Sequence, residues 1–189
     1  MNHNYSAKYG NVLLRPLCHD DIESLRVWRN NLEETRFLRP IGIISPEKQE
    51  QWFQNYLLDP SEITFAIVET KELKRLVGSV SIYEIEGDHA EFGKIRIGDP
   101  AAHGKGIGRT AMVLALAVGF GPLGLQKIMG CVHRENIAAR SNDLKIGFRI
   151  VGEQASVVGG YEDVIEIDRS TLYAVNEYAK EIKFGEWKK

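Results

Sequence analysis

The chain contains few cysteines, and their placement excludes several classes of protein. Its 189 residues include only Cys18 and Cys131, which lie far apart and among apolar neighbours. This pattern predicts two reduced, buried thiols and excludes a disulfide-rich scaffold. The five histidines also lack the spacing of metal ligands, so no metal site is expected.

The chain also lacks an excess of charge of either sign and has no long apolar run. The formal net charge of −2 provides no basic field to attract nucleic acid. No apolar run approaches the roughly 20 residues that a membrane-spanning helix needs, and the N-terminus lacks the pattern of a signal peptide. We therefore expect no nucleic acid, no membrane and a cytoplasmic location. With 43% hydrophobic residues, residues 1–189 are expected to form one domain.

What the chain does contain is a glycine-rich segment, from His103 to Ala111, with the sequence HGKGIGRTA. It follows a strand-like alternation and precedes a long apolar helix, expected from Ile107 to Phe120. Glycine permits positive φ and close approach of the backbone, and the first N–H groups of a helix lack intrahelical acceptors. This junction predicts a binding site for a phosphorylated cofactor.

The same segment fits more than one cofactor. Residues Gly106 to Ala111 match the loose dinucleotide pattern G-x-G-x-x-G/A, which also requires an acidic residue roughly 20 positions further on. Glu135 lies further along the chain than the pattern requires. A chain of this length also leaves little room for a separate substrate domain. The segment alone therefore leaves a dinucleotide open as the ligand.

A second motif follows at residues 136–148, with the sequence NIAARSNDLKIGF. It resembles the N-x-x-A/S…K-x-G-F segment of the GCN5-related N-acetyltransferases, the GNAT superfamily, and residues 103–108 resemble the R/Q-x-x-G-x-G/A pyrophosphate loop of that family. Two motifs in this order favour the family over a dinucleotide-binding protein. Residues 14–30, 76–80 and 90–93 resemble the branch that acetylates ribosomal-protein N-termini, polyamines and amino sugars.

The resemblance covers about residues 11–173 and implies the acyl-CoA N-acyltransferase fold, with acetyl-CoA as cofactor. That fold is α+β, a mixed α/β sandwich with helices on both faces of a central, mostly antiparallel twisted sheet. The sheet splays after its fourth strand, which is expected here at His89 to Ile97. The Lys- and Glu-rich C-terminal tail matches nothing and stays unassigned.

Periodicity and turn residues predict the remaining elements. Strands are expected at residues 11–17, 64–68, 76–83 and 126–132. Helices are expected at residues 22–28, 46–58 and 138–146. A terminal hairpin of two strands, at residues 148–158 and 161–173, is expected to turn at Gly159-Gly160.

The resemblance also implies which residues hold the cofactor. The pantetheine arm would bond to the backbone of Lys94 to Ile97, and the diphosphate would meet N–H groups of Gly104 to Gly108. Asn136 would bond the cofactor arm or the substrate, although asparagine is equally suited to capping the helix that follows. The expected cofactor-binding residues are Ile95, Arg96, Ile97, His103, Gly104, Lys105, Gly106, Ile107, Gly108, Arg109 and Asn136.

Acetyl transfer to an amine needs a proton acceptor for the amine and a proton donor for the departing thiolate. Glu91 is the candidate base, because the matching segment in relatives faces the acceptor; the alternative is a strand carboxylate that points into solvent. Many relatives have a tyrosine acid at the position of Asp143, whereas the ribosomal-protein branch often has an acidic residue there. Asp143 is therefore the candidate acid, with an exposed, non-catalytic helix residue as the alternative.

The acceptor is harder to predict, because the family selects it with the first two helices, their connecting loop and the terminal hairpin. Trp28, Arg29 and Asn30 resemble a subset acting on nucleotide-linked amino sugars, although Trp28 also suits a core position. A small-molecule amine, and specifically an amino sugar, is expected ahead of a protein N-terminus. A polyamine is third because no dense acidic cluster is visible. A non-catalytic acyl-CoA sensor is the alternative from another class, and a homodimer is the partner hypothesis.

Overall fold

A computed structural model describes the chain at residues 3–31, 33 and 35–188. Within these ranges the strands are β1 (Tyr5–Tyr9), β2 (Val12–Pro16), β3 (Ile63–Glu69), β4 (Arg75–Glu86), β5 (His89–Ile97), β6 (Lys127–His133), β7 (Arg149–Ala155), β8 (Tyr161–Asp168) and β9 (Lys183–Glu186). They form one sheet in the order β7-β8-β6-β5-β4-β3-β2-β1-β9. The helices in the same ranges are α1 (Ile22–Arg29), α2 (Pro46–Leu58), α3 (Ile107–Phe120), α4 (Ile137–Ile146) and α5 (Arg169–Val175).

One face of the sheet is covered by α3, which begins and ends where the sequence predicts. Every residue from Ala111 to Phe120 is buried, because the helix is apolar around its whole circumference and packs against the sheet. Helices α4 and α5 pack beside α3. No helix in the described ranges has the length and apolarity that crossing a bilayer requires.

The opposite face is covered only in part by helices α1 and α2. These helices pack over β3, where Ala66 is completely buried beneath Phe53 and Tyr56. The same face of the sheet continues from β3 across β4 and β5 to β6, as the strand pairs show. There Cys131 on β6 and Gln154 on β7 are exposed to solvent. We call this uncovered part, over β5, β6, β8 and β7, the open face.

Strands β5 and β6 separate as the family resemblance implies. They are parallel neighbours over three residue pairs, from His89–Lys127 to Glu91–Met129. Beyond Glu91, β5 stays paired with β4 as far as Ile97. A bulge at Lys94, whose φ is 49°, accompanies a register shift between these two strands and bends β5. The splayed sheet of the expected fold is confirmed, although the splay follows the fifth strand of this chain.

The predictions for the two ends of the chain are incomplete or wrong. The strand expected at residues 11–17 is β2, the second strand of a hairpin whose first strand was not predicted. The strand expected at residues 161–173 ends at Asp168, because the Asp168 carboxylate accepts the Thr171 N–H (2.8 Å) and caps α5. The unassigned tail forms β9, which pairs with β1 through residues such as Ala7 and Phe184.

The interpretation of both cysteines as buried is also wrong. Both thiols are free, but Cys131 is exposed and Cys18 is half-buried. Strand alternation explains the error, because Cys131 projects onto the open face while its apolar neighbours project into the core. Partial burial of the sulfur, followed by the charges of Glu91 and Glu162, raises the pKa of the Cys131 thiol to about 11.

Candidate active site

The glycine segment forms the turn that leads into α3. Gly104 and Gly106 have φ of 73° and 74°, and a Cβ at either position would meet nothing within 4 Å. These positions therefore need glycine for their backbone conformation, not for lack of space. The first hydrogen bond within the helix joins the Thr110 N–H to the Gly106 carbonyl (3.1 Å). The N–H groups of Ile107 to Arg109 therefore have no carbonyl acceptor within the helix. This arrangement fits the diphosphate of coenzyme A.

Side chains of the same segment fix it to its surroundings. His103 Nε2 lies 2.7 Å from the Ile97 carbonyl at the end of β5. Lys105 forms an ion pair with Glu72 (2.8 Å), and this hydrogen bond raises the pKa of Lys105. Arg109, by contrast, has no ion pair among the described residues, and its guanidinium lies 3.5 Å from the neutral amide of Asn142. Its charge is therefore more available to a phosphate than that of Lys105.

The backbone of β5 beyond the separation has a fixed position because α1 is docked against it. The Arg96 guanidinium donates to the Trp28 carbonyl (2.5 Å) at the end of α1. A Cβ at Gly98 would lie 2.1 Å from the Trp28 ring, so the indole packs directly on the backbone after β5. On the other side, Gly78 lets β4 approach the Arg96 carbonyl closely. Ile95, Arg96 and Ile97 therefore sit on a strand that is held by α1, and the half-buried Trp28 ring packs on the backbone just beyond it.

Glu91 is half-buried on the open face, at the last residue pair before β5 and β6 separate. Its neighbour across β4 is Tyr83. Burial, then the charge of Glu91 and a hydrogen bond to it, raises the pKa of Tyr83. The phenol therefore keeps its proton and donates to the Glu91 carboxylate. Lys94 lies above the same ring, 4.3 Å from its centroid.

Asp143 is buried, with 7% exposure, so its interpretation as an exposed helix residue is wrong. Burial alone raises the pKa of its carboxyl to about 7, and in the described part of the chain no charged group offsets this effect. The cause is its place on α4, four residues after Ala139 and three before the fully buried Ile146. That spacing marks the inward face of the helix and is a signal that the sequence contains.

Glu91 and Asp143 lie on opposite faces of the sheet. Helix α4 lies on the face covered by α3. Its Arg140 forms an ion pair with Asp163, and Asp163 is the strand partner of Val132, a core residue of β6. Glu91 lies on the open face with Cys131. The site thus offers a carboxylate on one side and, below about pH 7, a protonated carboxyl on the other.

The remaining predicted site residues form internal contacts. Asn136 caps α4, since its side chain accepts the Ala139 N–H (3.3 Å). Asn30 exchanges two hydrogen bonds with the Ile44 backbone, at 2.9 and 3.0 Å. Arg29 donates to the Arg39 carbonyl (2.8 Å). Asn30 and Arg29 thus shape the loop between α1 and α2.

Sequence reasoning missed the residues that complete the open face. Glu162, at the start of β8, accepts hydrogen bonds from Ser156 (2.9 Å) and Gln154 (3.2 Å). The Phe37 ring stacks on His133, with centroids 4.9 Å apart, and so brings the α1–α2 loop to the end of β6. Strand register and loop docking create these contacts, and no local pattern marks them.

A family model described as Acetyltransferase (GNAT) domain matches residues 11–149. The chain belongs to the GNAT acetyltransferases. Spermidine N(1)-acetyltransferase of Escherichia coli strain K12 is 31% identical over 161 residues, which cover 82% of this chain and 84% of that protein. An N-acetyltransferase 9-like protein of Caenorhabditis briggsae is 27% identical over 145 residues, 71% of each chain. The solved spermidine N-acetyltransferase from Vibrio cholerae, in complex with CoA and spermine, is 27% identical with a TM-score of 0.78, covering 86% of this chain and 98% of that one.

These comparisons confirm the predicted family, the fold and an acetyl-CoA-dependent N-acetyltransferase. They favour this enzyme over both a dinucleotide-binding protein and a non-catalytic sensor. The cofactor assignment agrees with the bound CoA of the Vibrio cholerae protein. The expected order of acceptors is not supported, because both spermidine acetyltransferases are named for a polyamine, the class placed third.

Proposed function

We propose that this GNAT acetyltransferase transfers the acetyl group of acetyl-CoA to a primary amine of a small polyamine, by direct attack in a ternary complex. Similarity to two spermidine acetyltransferases supports this acceptor class. The structural observation that carries it is a pair of carboxylates, Glu91 and Glu162, on the open face. Both lower the potential at the thiol of Cys131, which lies between them on β6.

The charges of this pair are not balanced by cations, which distinguishes it from other carboxylates of the same sheet. On β8, Asp163 binds Arg134 and Arg140, and Glu166 binds Arg149 and Lys127. Within the described ranges neither Glu91 nor Glu162 has such a partner. An elongated acceptor with two or more ammonium groups would supply the missing charge.

Register gives the approximate separation of the two carboxylates. Glu91 on β5 pairs with Met129 on β6, and Glu162 on β8 pairs with His133 on the same strand β6. Four residues along the strands and two strands across correspond to about 16 Å between the α-carbons. Glutamate side chains pointing towards Cys131 shorten this distance, so a chain-like molecule along the open face can contact both. In this arrangement Glu91 meets the reacting amine and Glu162 meets a distant ammonium.

For proton transfer we propose the carboxyl groups of Glu91 and Asp143. Acetyl-CoA supplies the thioester that is attacked and the thiolate that departs. The Glu91 carboxylate, oriented by the Tyr83 hydroxyl, removes a proton from the acceptor amine, directly or through one water molecule. The Asp143 carboxyl, whose pKa burial raises to about 7, would give its proton to the thiolate sulfur. N–H groups of residues 104–109 and the Arg109 guanidinium would hold the diphosphate.

The sheet also supports a proposal about the domain. We propose that residues 1–189 form one acetyltransferase domain, because all nine described strands belong to a single sheet. The first strand and the C-terminal strand pair with each other at one edge. The tail is thus part of the acetyltransferase sheet and is not expected to fold alone.

The test is release of CoA from acetyl-CoA with a panel of amines: spermidine, spermine, a monoamine and an amino sugar. The highest kcat/KM is expected for the polyamines. Release no faster than without protein for every amine would contradict enzymatic turnover, and a preference for the amino sugar would overturn the polyamine assignment.

A variant of the second carboxylate sharpens the test. Glu162→Gln should raise KM for spermidine about tenfold and leave KM for the monoamine unchanged, because only the distant ammonium loses its partner. Glu153→Gln is the matched control, since Glu153 lies on the same hairpin and pairs with Arg134 away from the open face. Equal effects of the two substitutions would contradict the role of Glu162.

A further inference from the structure

A cleft with three arginines lies in the loop between α1 and α2. It has a volume of about 230 Å³, and its lining includes Arg29, Arg36 and Arg39 together with Thr35 and apolar residues. Among the described residues that line it, none is acidic. We call this feature the arginine cleft.

The arginine cleft carries positive charge that no carboxylate in the described chain offsets. Arg29 donates to a backbone carbonyl, and the Arg36 guanidinium lies 4.7 Å from the centroid of the Phe37 ring. Neither contact neutralises a guanidinium. Six other arginines, by contrast, form ion pairs with carboxylates: Arg15, Arg26, Arg75, Arg134, Arg140 and Arg149. Three arginines that have no carboxylate partner among the described residues share one concavity, which indicates a site for an anion.

We propose that the arginine cleft binds a phosphate or diphosphate group. The planar fork of a guanidinium donates two parallel hydrogen bonds to phosphate oxygens, and the charge stays in place at every accessible pH. The cleft is smaller than the roughly 300 Å³ at which pockets for whole drug-sized ligands begin. It therefore suits a charged group of a larger molecule, or a small free anion.

The arginine cleft lies next to the acceptor side of the site. Its loop reaches β6 through the stacking of Phe37 on His133, and α1, which carries Arg29, is bound to β5 through Arg96 and Trp28. A phosphate in the cleft thus belongs either to an acceptor whose amine reaches Glu91 or to a free anion that acts on the enzyme. This inference rests on the proposed acetyltransferase reaction and does not depend on which amine is the acceptor.

The first test is calorimetric titration with inorganic pyrophosphate of protein saturated with CoA, so that the diphosphate site at α3 is already filled. Constant ionic strength separates specific binding from general screening. Saturable binding is expected, with a Kd at least tenfold higher in the double variant Arg36→Gln, Arg39→Gln. Arg169→Gln, which removes a charge from α5, is the matched control and should bind as the unmodified protein does. Absent saturation, or equal affinity in the double variant, overturns the proposal.

Two kinetic arms identify the source of the phosphate. For an acceptor phosphate, the double variant raises KM for an amino sugar phosphate at least tenfold more than KM for the same sugar without phosphate. For a free anion, pyrophosphate changes the turnover of spermidine by the unmodified protein and not by the double variant. If neither effect occurs, the role of the cleft beside the acceptor is overturned. Pyrophosphate binding without acetylation of any amine would contradict the proposed function and leave the anion site intact.

Discussion

Replacement of Asp143 by asparagine should stabilise the protein, and by an amount that depends on pH. Asparagine has nearly the same shape as a protonated aspartic acid and never ionises. Asp143 is 7% exposed, and burial raises the pKa of its carboxyl from 3.8 to about 7. The unmodified protein must therefore either keep a proton that the unfolded chain would release or hold a buried negative charge.

The magnitude follows from the two pKa values. Below about pH 4, both the native and the unfolded chain hold the proton, and the two proteins differ little in stability. Between about pH 4 and pH 7 the native state binds more protons than the unfolded state, so the stability of the unmodified protein falls as pH rises. Above pH 7 the difference levels off. Since one pKa unit corresponds to 1.36 kcal/mol, Asp143→Asn should gain about 4 kcal/mol at pH 8 and less than about 1 kcal/mol at pH 4.

Urea unfolding of both proteins, without cofactor, at pH 4, 6 and 8 measures this difference. Asp163→Asn is a control of opposite sign, because hydrogen bonds from Arg140 and Arg134 lower the pKa of Asp163. Relative to the unmodified protein, Asp163→Asn should be destabilised by the largest amount at neutral pH. This difference should disappear as pH falls through the lowered pKa of native Asp163. A gain for Asp143→Asn that stays constant from pH 4 to pH 8 would refute the assignment of a buried, titrating carboxyl.

The same substitution tests the role of Asp143 in catalysis. As a general acid, Asp143 must hold its proton, so kcat of the unmodified enzyme should decline above about pH 7. Asp143→Asn should lower kcat about 10²-fold at pH 6.5 and abolish that decline. A variant that is more stable yet equally active would leave burial as the only property of Asp143 and would reassign the acid.

Three further substitutions test the other parts of the site. Glu91→Gln should lower kcat about 10²-fold while calorimetry shows CoA affinity within about twofold of the original; unchanged turnover across pH would remove Glu91 as the base. Gly108→Val should weaken CoA binding at least tenfold with little change in melting temperature, because its Cβ would meet only Ile97, at 3.4 Å; retained affinity would contradict the diphosphate site. Gly98→Ala should cost about 1–3 kcal/mol in urea unfolding, because the new Cβ would lie 2.1 Å from the Trp28 ring; unchanged stability would contradict this packing.

The amino-acid sequence by itself determined the features that depend on neighbouring residues. The bounds of α3 follow from glycines before an apolar run, and the start of α2 follows from a Ser45 cap and Pro46 at the first position. The anion-binding turn at α3 is also local, because positive φ at Gly104 and Gly106 and unpaired helical N–H groups need no distant contact. Two sequence motifs in this order, at residues 103–108 and 136–148, were enough to indicate the family.

Tertiary structure alone decided the features that join distant parts of the chain. The pairing of β1 with β9 brings together the two ends of the chain. Register across β4, β5 and β6 places Tyr83 beside Glu91 and places Cys131 near both carboxylates of the open face. The fold also closes the α1–α2 loop around three arginines. The physical reason is that periodicity and caps report a residue's own element, whereas burial, pKa and charge balance depend on what the rest of the chain places against it.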